Sequence, residues 1–241
     1  MHIFVISLKD AIERREHVNS QFTAIQQDFE FFDAVDGRKE KHPLFSKYNV
    51  KKRLRYKGYE LTAGELGCFA SHYLLWEKCV ELNDTIIVIE DDVQLETCFK
   101  ESIKDAQQLA QYEYLRLFVN NRYRPFIKIA EYKEYDVVEY QRGPSGARAY
   151  LITPMAAQKL INMSQEWFLP VDDYMDQFWL NKVVCRGLMP GIVKNETDFE
   201  SCIGTLNRSK KAHRMTREIY SMSCTLKRKW HLLTHSSKKI D

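Results

Sequence analysis

The sequence predicts an α/β fold, in which a mostly parallel central sheet is flanked by helices. Two observations carry this prediction. Strand patterns alternate with helical patterns along most of the 241 residues. One strand pattern, TIIVIEDD at residues 85–92, is a continuous β-branched run, as expected of a strand that is buried on both faces of a parallel sheet.

The predicted elements follow one another without a repeat or a low-complexity linker. Thr62 and Glu65 form a T-x-x-E capping box that begins a long helix. Thr153 and Pro154 supply the N-cap and the first residue of another helix. Strand patterns cover residues 3–6, 30–32, 86–89, 114–119, 137–139 and 147–152, helical patterns cover 11–26, 62–82, 96–110 and 215–234, and loops are expected at 38–59, which is basic and predicted to be mobile, and at 120–135.

Composition narrows the class and the location of the protein. The chain is 44% hydrophobic and 12% aromatic, which is enough for a large core. It has no apolar run of 18 residues and no secretory signal at its start, so we expect a cytoplasmic protein without a membrane-spanning segment. Six scattered cysteines, none in a Cys-x-x-Cys pair, indicate free thiols rather than disulfides or a zinc site.

Charge divides the chain into two parts, although the net charge is only +3. Residues 208–241 carry a net +8 and residues 1–207 a net −5, which predicts a folded domain followed by a basic tail. A tail helix with Trp230 at the interface would suit an anionic membrane surface. The alternative is a helix that packs on the domain with a charged outer face. No nucleic-acid-binding module accompanies the charge, so no nucleic-acid partner is expected.

Three carboxylates, Glu90, Asp91 and Asp92, follow the buried strand directly. Ligands of open α/β sheets bind at this edge. Adjacent anions repel one another, so a cation or several hydrogen-bond donors must offset their charge. A divalent metal such as Mg²⁺ or Mn²⁺, shared with the phosphates of a substrate, would do so. The alternative is a solvated loop after a strand.

A second acidic cluster lies in the segment PVDDYMDQF and comprises Asp172, Asp173 and Asp176. A catalytic carboxylate there competes with an ordinary helix start after Pro170, where acidic residues suit the N-terminal dipole. The sequence contains no G-x-G-x-x-G, no P-loop and no Gly-x-Ser-x-Gly motif. Their absence counts against a dinucleotide-binding fold, a P-loop nucleotide-binding protein and an α/β-hydrolase.

Several segments together resemble glycosyltransferase family 25, the lipopolysaccharide and lipooligosaccharide galactosyltransferases that are related to collagen galactosyltransferases. They occur in the order of the family and span residues 3–205. The matching segments are IFVISLKDAIERRE near the start, AVDG at 34–37, LTAGELGCFASHYLLWEK at 61–78, IIVIEDDV at 86–93, GARAYLITPMAAQKLI at 146–161 and PVDDY at 170–174.

The resemblance implies a GT-A-type nucleotide-sugar-binding fold at 1–207 that uses UDP-galactose with Mn²⁺ or Mg²⁺. Glu90-x-Asp92 would stand in for the Asp-x-Asp motif of such enzymes, with Asp92 on the metal and Glu90 or Asp91 on the ribose or a metal-bound water. The family is regarded as inverting, which requires a carboxylate base on the acceptor side. Asp172 is the preferred candidate and Asp173 the alternative, with Asp176 as a helper.

Other positions matched by the resemblance are expected near the donor. Ser71 and His72 would border the uridine or its phosphates, although a packing histidine is an equal alternative. Asp36, in a tight turn with Gly37, would lie near the base or ribose, and a plain turn explains it nearly as well. Arg14 and Arg15 follow the first strand and would face the diphosphate; the alternative is that at least one of them is a solvated helix residue. Ser7 departs from the Asn of the family. Asn195, Glu196 and Asp198 lie in a late loop from which no third metal ligand stands out.

The implied activity is transfer of galactose, in β linkage, from UDP-galactose to a lipid-linked lipopolysaccharide or lipooligosaccharide acceptor at the inner face of the membrane. One alternative is a metal-dependent sugar nucleotidyltransferase. Such an enzyme typically carries a Gly-rich basic loop after its first strand, where this chain has KDAIERR. The other alternative is a non-catalytic sugar- or lipid-binding domain of the same fold.

Overall fold

A computed structural model describes residues 1–120, 124–195 and 214–234 of the protein. Within these ranges, one large sheet and a two-stranded sheet are surrounded by helices. The strands are β1 (His2–Ser7), β2 (Glu30–Asp33), β3 (Ile86–Glu90), β4 (Val93–Leu95), β5 (Tyr114–Arg116), β6 (Phe126–Tyr132), β7 (Tyr135–Tyr140), β8 (Ala149–Ile152), β9 (Arg186–Met189) and β10 (Val193–Asn195). The α-helices are α1 (Ile12–Ala24), α2 (Val50–Lys57), α3 (Ala63–Leu82), α4 (Phe99–Ile103), α5 (Ala106–Leu109), α6 (Pro154–Met163), α7 (Val171–Met175), α8 (Phe178–Asn181) and α9 (Arg214–Thr234).

The large sheet has the strand order β2-β1-β3-β8-β5-β9-β7-β6. β1 runs parallel to β2 and β3, and β5 runs parallel to β9, whereas the other neighbours are antiparallel. The predicted α/β architecture is confirmed, and the sheet is mixed because β7 and β8 run opposite to its other six strands. Ile86 and Val88 of β3 pack into one core and Ile87 and Ile89 into the other, so β3 is buried on both faces as predicted.

The capping box predicted at Thr62 and Glu65 is confirmed. The Thr62 hydroxyl accepts a hydrogen bond from the Glu65 backbone N–H at 3.0 Å, and the Glu65 carboxylate accepts one from the Thr62 N–H at 2.7 Å. α3 then continues for 20 residues and ends at Asn83, which adopts a left-handed conformation. This helix packs against α6 and supplies Phe69 and Trp76 to the core.

The prediction of a mobile loop at residues 38–59 is wrong, because this segment contains a 3₁₀ turn at Pro43–Lys47 and the helix α2. The Asn49 side chain caps α2 by accepting from the Lys52 N–H at 2.8 Å. Arg53 is only 1% exposed and donates to backbone carbonyls, including that of Tyr59 at 3.1 Å. A run of basic residues usually indicates a segment exposed to solvent. Here the Arg53 guanidinium turns inward instead and holds α2 in place.

Two smaller predictions are also corrected. Segment 120–135 was expected as a loop, yet residues Phe126–Tyr132 form β6, because they find a hairpin partner in β7 at the edge of the sheet. The single helix expected at 96–110 is divided into α4 and α5 by a break at Asp105. The break allows Phe99, Ile103 and Leu109 all to be buried against the second core.

The predicted helix of the tail is confirmed as α9, which packs against α2 and α8. The Tyr220 ring stacks on Tyr56 with centroids 4.7 Å apart. The outer face differs from the charged one expected for a packed helix: a stripe of apolar side chains, 60% to 80% exposed, points away from the domain. This apolar stripe consists of Met215, Ile219, Met222, Leu226, Trp230 and Leu233.

Two expectations from composition can be compared with the described ranges. None of the helices described has the length and hydropathy required to cross a bilayer. The five cysteines in these ranges are free thiols, as predicted, and Cys202 lies outside the described residues.

Candidate active site

A cavity of about 120 Å³ opens at the carboxyl ends of β1 and β3. These two strands are parallel neighbours and therefore end at the same edge of the sheet, which is where ligands of such sheets bind. Six residues predicted near the donor line this cavity, namely Arg14, Asp36, Ser71, Glu90, Asp91 and Asp92. The structure therefore brings together side chains that are up to 78 positions apart in the sequence (14 to 92).

The turn AVDG at residues 34–37 closes one wall of the cavity against α3. A Cβ atom at Gly37 would lie 2.1 Å from the Ala63 carbonyl oxygen, and one at Gly67 would lie 2.3 Å from the Val35 oxygen, so both positions require glycine. Ser71 is fully buried. Its hydroxyl accepts from the Val35 N–H at 2.9 Å and donates to the Gly67 carbonyl at 2.8 Å. Ser71 thus holds the turn in place.

Asp36 extends from this turn to the cavity and binds its neighbour Arg38. Arg38 Nε lies 2.9 Å from an Asp36 carboxylate oxygen. This hydrogen bond lowers the pKa of Asp36, although partial burial acts in the opposite direction. Asp36 is therefore an ionised hydrogen-bond acceptor at the rim, a suitable position for a ribose hydroxyl.

Glu90 is held by a chain of hydrogen bonds that begins in the core. Trp76 Nε1 donates to the Tyr150 hydroxyl at 3.1 Å, and that hydroxyl lies 2.8 Å from His72 Nδ1. Because the tyrosine accepts from Trp76, it donates to Nδ1, and the His72 proton resides on Nε2, 3.1 Å from Glu90 Oε1. Burial alone would raise the pKa of Glu90, but the His72 hydrogen bond and nearby arginines lower it. His72 therefore lies beneath the cavity and orients Glu90.

The two arginines after β1 also bind carboxylates. Arg14 Nη1 donates to Asp91 at 2.8 Å, and both side chains are largely buried. Arg15 forms an ion pair with Asp33 and donates to the Ser7 carbonyl at 3.0 Å. Neither arginine is a purely solvated helix residue, and Asp91 has its charge offset within the protein.

Asp92 differs from its neighbours because its carboxylate is only weakly paired among the described residues. Its Oδ1 atom is buried and accepts no hydrogen bond, and its other oxygen lies 3.6 Å from Arg148 Nε, beyond hydrogen-bond distance. Burial, followed by the charges of Glu90 and Asp91, raises the pKa of Asp92 to about 6 against the attraction of Arg148 and Arg14. An additional cation beside this carboxylate would stabilise its ionised form.

A divalent metal ion would suit this position. Asp92 and Glu90 offer carboxylate oxygens, the ligands that Mg²⁺ and Mn²⁺ prefer. Ligand atoms of Cys68, His72 and Glu90 also lie within 4.8 Å of one another. Burial raises the pKa of the Cys68 thiol well above its usual range, so it stays neutral and is a poor ligand for a hard cation.

β10 lies next to β4, the strand that begins directly after Asp92. β10 pairs with β4, and Asn195 lies opposite Val93, the residue after Asp92. Asn195 is therefore the one late-loop candidate whose backbone the described residues place beside the acidic cluster. Glu196 and Asp198 lie outside the described residues.

The second acidic cluster lies on α7, with Asp172 turned inward and Asp173 outward. The Asp172 oxygens accept hydrogen bonds from the backbone N–H groups of Asp173, at 2.8 Å, and Gly146, at 3.2 Å. Burial and the adjacent charge of Asp173 raise the pKa of Asp172. Asp173 is 45% exposed and pairs with Lys57 of α2 at 3.3 Å. Asp172 is therefore the carboxylate of the pair whose burial favours its protonated form.

Asp176 has a different role in the geometry. Arg116, whose side chain is only 2% exposed, donates to Asp176 at 3.0 Å, and the Ser145 N–H donates to its other oxygen at 2.8 Å. Burial raises the pKa of Asp176 to about 6 despite the Arg116 charge, so it is ionised at neutral pH. The buried ion pair with Arg116, together with the Ser145 hydrogen bond, makes Asp176 a structural anchor for the loop before β8.

Cys68 belongs to α3 and lines the cavity together with Glu90 and Asp92. Its thiol pKa is raised first by burial and then by the charges of Glu90, Asp172 and Asp92. Carboxylates from β3, its following turn and α7 thus act on one sulfur at the edge of the cavity.

Sequence reasoning missed the arginines of this site. Arg148 approaches Asp92 because β8 lies antiparallel to β3, and the Glu90 N–H donates to the Arg148 carbonyl at 2.7 Å. Arg116 reaches Asp176 from β5. Arg148 lies within GARAYLI, a segment that carries the resemblance, and this was the available signal. Arg116 had none, because its role depends on strand order.

Comparisons with known proteins agree with this geometry. The profile of glycosyltransferase family 25, described as an LPS biosynthesis protein, matches residues 1–175. The lipooligosaccharide biosynthesis protein lic2B of Haemophilus influenzae is 34% identical over 66% of this chain and 62% of its own length. Procollagen galactosyltransferase 1-B of Xenopus laevis is 29% identical over 72% of this chain and 30% of its own. A Bos taurus protein named probable inactive glycosyltransferase 25 family member 3 is 30% identical over 72% and 31%.

The chain spans about one third to three fifths of the length of these curated relatives. The family profile nevertheless covers most of the chain, including both acidic clusters up to Met175. The chain belongs to glycosyltransferase family 25.

Proposed function

We propose that this protein transfers galactose from UDP-galactose to the saccharide of a lipopolysaccharide or lipooligosaccharide, with inversion at the anomeric carbon. The observation that carries the proposal is the buried Asp92 carboxylate, which has one oxygen without a hydrogen bond among the described residues and lies beside Glu90 at the ligand-binding edge of the sheet. The names of lic2B and procollagen galactosyltransferase 1-B support the acceptor class and the sugar.

The donor half of the site uses residues around the β3 end. Asp92 and Glu90 would hold Mn²⁺ or Mg²⁺, which neutralises the charge that develops on the departing diphosphate. His72 keeps Glu90 in a fixed rotamer through Tyr150 and Trp76, so the ligand is positioned before the donor arrives.

The acceptor half uses α7. An acceptor hydroxyl attacks the anomeric carbon, the bond from that carbon to the diphosphate oxygen breaks, and the hydroxyl proton passes to a carboxylate. The raised pKa of Asp172 suits a base that must accept a proton near neutral pH. A second cavity, of about 780 Å³, is lined by Asp173 and Asp176 and has the size of a ligand pocket. Asp173 is therefore the second candidate for the base.

Two other functions fit parts of this geometry, and one assay separates them. Purified protein with Mn²⁺, a panel of UDP-sugars and truncated lipopolysaccharide acceptors is expected to release UDP fastest with UDP-galactose. Release of pyrophosphate from UTP and a sugar phosphate would instead identify a nucleotidyltransferase. Neither transfer nor slow donor hydrolysis across the panel would indicate a non-catalytic domain and sink the proposal.

We further propose that α9 rests on the anionic inner surface of a membrane, where a lipid-linked acceptor would be found. The apolar stripe follows helical spacing and faces away from the domain. The sequence of α9 contains five Lys or Arg residues and one Glu, so the charge of the helix complements acidic headgroups.

The double substitution Leu226→Ser and Trp230→Ser is expected to weaken binding to vesicles that contain phosphatidylglycerol by at least about tenfold, since each buried apolar side chain contributes about 1.5–3 kcal/mol. Both side chains are exposed, so folding is retained. Cosedimentation with vesicles measures the effect. The control pair, Ile12→Ser and Met155→Ser, changes residues of similar exposure elsewhere and should bind as the unaltered protein does. Unchanged binding of the α9 variant would assign the stripe to another partner.

A further inference from the structure

Three arginines line the second and larger of the two cavities described above. Arg124 precedes β6, Arg142 follows β7, and Arg228 lies on α9, and all three line the cavity of about 780 Å³. Among residues 1–120, 124–195 and 214–234, none of the three forms an ion pair. Their one hydrogen bond joins Arg124 to the Ser145 hydroxyl at 3.3 Å, and the Arg124 Nε atom is buried without an acceptor.

The arginines are close enough to repel one another. Burial lowers the pKa of Arg228, and the charges of Arg142 and Arg124 lower it further. No carboxylate opposes this effect, although Asp173 and Asp176 line the same cavity. The three arginines, which lie far apart in the sequence, thus repel one another. A bound anion would offset this repulsion.

Two of the three carboxylates that line the cavity are paired with cations other than these arginines, and the third is Glu218 of α9. Asp176 is paired with Arg116, and Asp173 with Lys57. Ser145 connects the two parts, since its N–H donates to Asp176 and its hydroxyl accepts from Arg124. The arginine cluster is therefore linked through Ser145 to Asp176, the residue that follows α7. The candidate base lies on α7.

The donor diphosphate does not require these arginines. The cavity at the end of β3 has its own lining, with Arg14, Asp36 and the acidic cluster, and shares no residue with the arginine-lined cavity. An anion bound by Arg124, Arg142 and Arg228 would accordingly belong to the acceptor.

We propose that Arg124, Arg142 and Arg228 form an anion subsite that binds a phosphate monoester or a carboxylate on the acceptor saccharide, close to the hydroxyl that receives the sugar. Guanidinium groups suit both oxyanions, because each presents paired donors to two oxygens. The proposal rests on the proposed glycosyl transfer, since it names the acceptor class of that reaction.

The test compares acceptor oligosaccharides that bear a phosphate, bear a carboxylate, or have had the phosphate removed by phosphatase. We expect the KM of the preferred anionic acceptor to be at least about tenfold below that of the neutral one. In Arg142→Gln and in Arg228→Gln this ratio should fall towards one, while the affinity for UDP with Mn²⁺ is retained. The matched control Arg55→Gln removes an exposed arginine of α2 outside the cavity and should keep the ratio.

A binding measurement keeps this subsite distinguishable from the transfer reaction. Calorimetric titration with galactose 6-phosphate and with glucuronate probes the subsite without turnover and identifies which oxyanion it prefers. Binding that is lost in Arg142→Gln but kept in Arg55→Gln supports the subsite even if no acceptor is glycosylated. Equal KM values for anionic and neutral acceptors, or a loss of UDP affinity in the arginine variants, would overturn it.

Discussion

Replacing Asp92 by asparagine is expected to weaken Mn²⁺-dependent binding of UDP by roughly 100-fold or more, the scale at which changes around metal ligands act. The substitution keeps the shape of the side chain and removes its charge. Asp92 is the one carboxylate of its cluster with a buried oxygen that accepts no hydrogen bond among the described residues. Calorimetric titration of UDP with Mn²⁺, and again with a chelator, measures the metal-dependent part.

The same substitution is expected to stabilise the metal-free protein. The pKa of Asp92 in the fold, about 6, lies above the ordinary value of 3.8, so its ionisation opposes folding. Stability is therefore lost as pH rises from about 4 to about 6, and asparagine should recover on the order of 2 kcal/mol at pH 7. A higher unfolding temperature together with lost UDP affinity separates a ligand-holding role from a structural one.

The control for this experiment is Glu96→Gln, which removes a nearby carboxylate that pairs with Lys194 outside the cavity. Its UDP affinity should equal that of the unaltered protein. In the unaltered protein, metal-dependent affinity should also fall as pH decreases through about 6, because Asp92 becomes protonated. UDP binding that is the same with and without Mn²⁺, or that survives in Asp92→Asn, would falsify the assignment of this carboxylate to a cation.

The parts of the fold that local chemistry determines were predictable. The capping box at Thr62 and Glu65 is a local pattern, and it begins α3 where expected. The continuous apolar run before Glu90 requires burial on both faces, and β3 has it. From such a strand, the position of the acidic cluster at the sheet edge follows directly, which is why the donor cavity could be anticipated.

The electrostatic surroundings of the site could not be predicted, because they depend on strand order and on long-range approach. Nothing local in the sequence places Arg148 beside Asp92 or Arg116 beside Asp176. α2 was missed for a related reason: charge indicates solvation, whereas Arg53 is buried by bonds to distant carbonyls. The outward apolar stripe of α9 required knowing which side of the helix the domain covers.

The second large effect is expected from Asp172→Asn, which should reduce the rate of transfer by roughly 100- to 10,000-fold while leaving UDP affinity intact. The reason is that asparagine cannot accept the hydroxyl proton, yet it keeps the acceptor oxygen for the Gly146 N–H. UDP release under saturating donor and acceptor measures the rate, and calorimetry measures the affinity. In the unaltered protein, kcat should fall at acidic pH with a midpoint above the ordinary range of aspartate, since burial and Asp173 raise the pKa of Asp172.

The neighbouring carboxylates provide the comparison that decides the role of Asp172. Asp173→Asn removes an exposed partner of Lys57 and should change the rate only slightly, because an exposed ion pair contributes at most about 1 kcal/mol. Asp176→Asn leaves the buried Arg116 without its partner, so it should lower the unfolding temperature before it affects chemistry. If Asp172→Asn stays active while Asp173→Asn is inactive at an unchanged unfolding temperature, then the base is Asp173. In that case the acceptor must approach from the arginine-lined cavity, which Asp173 lines.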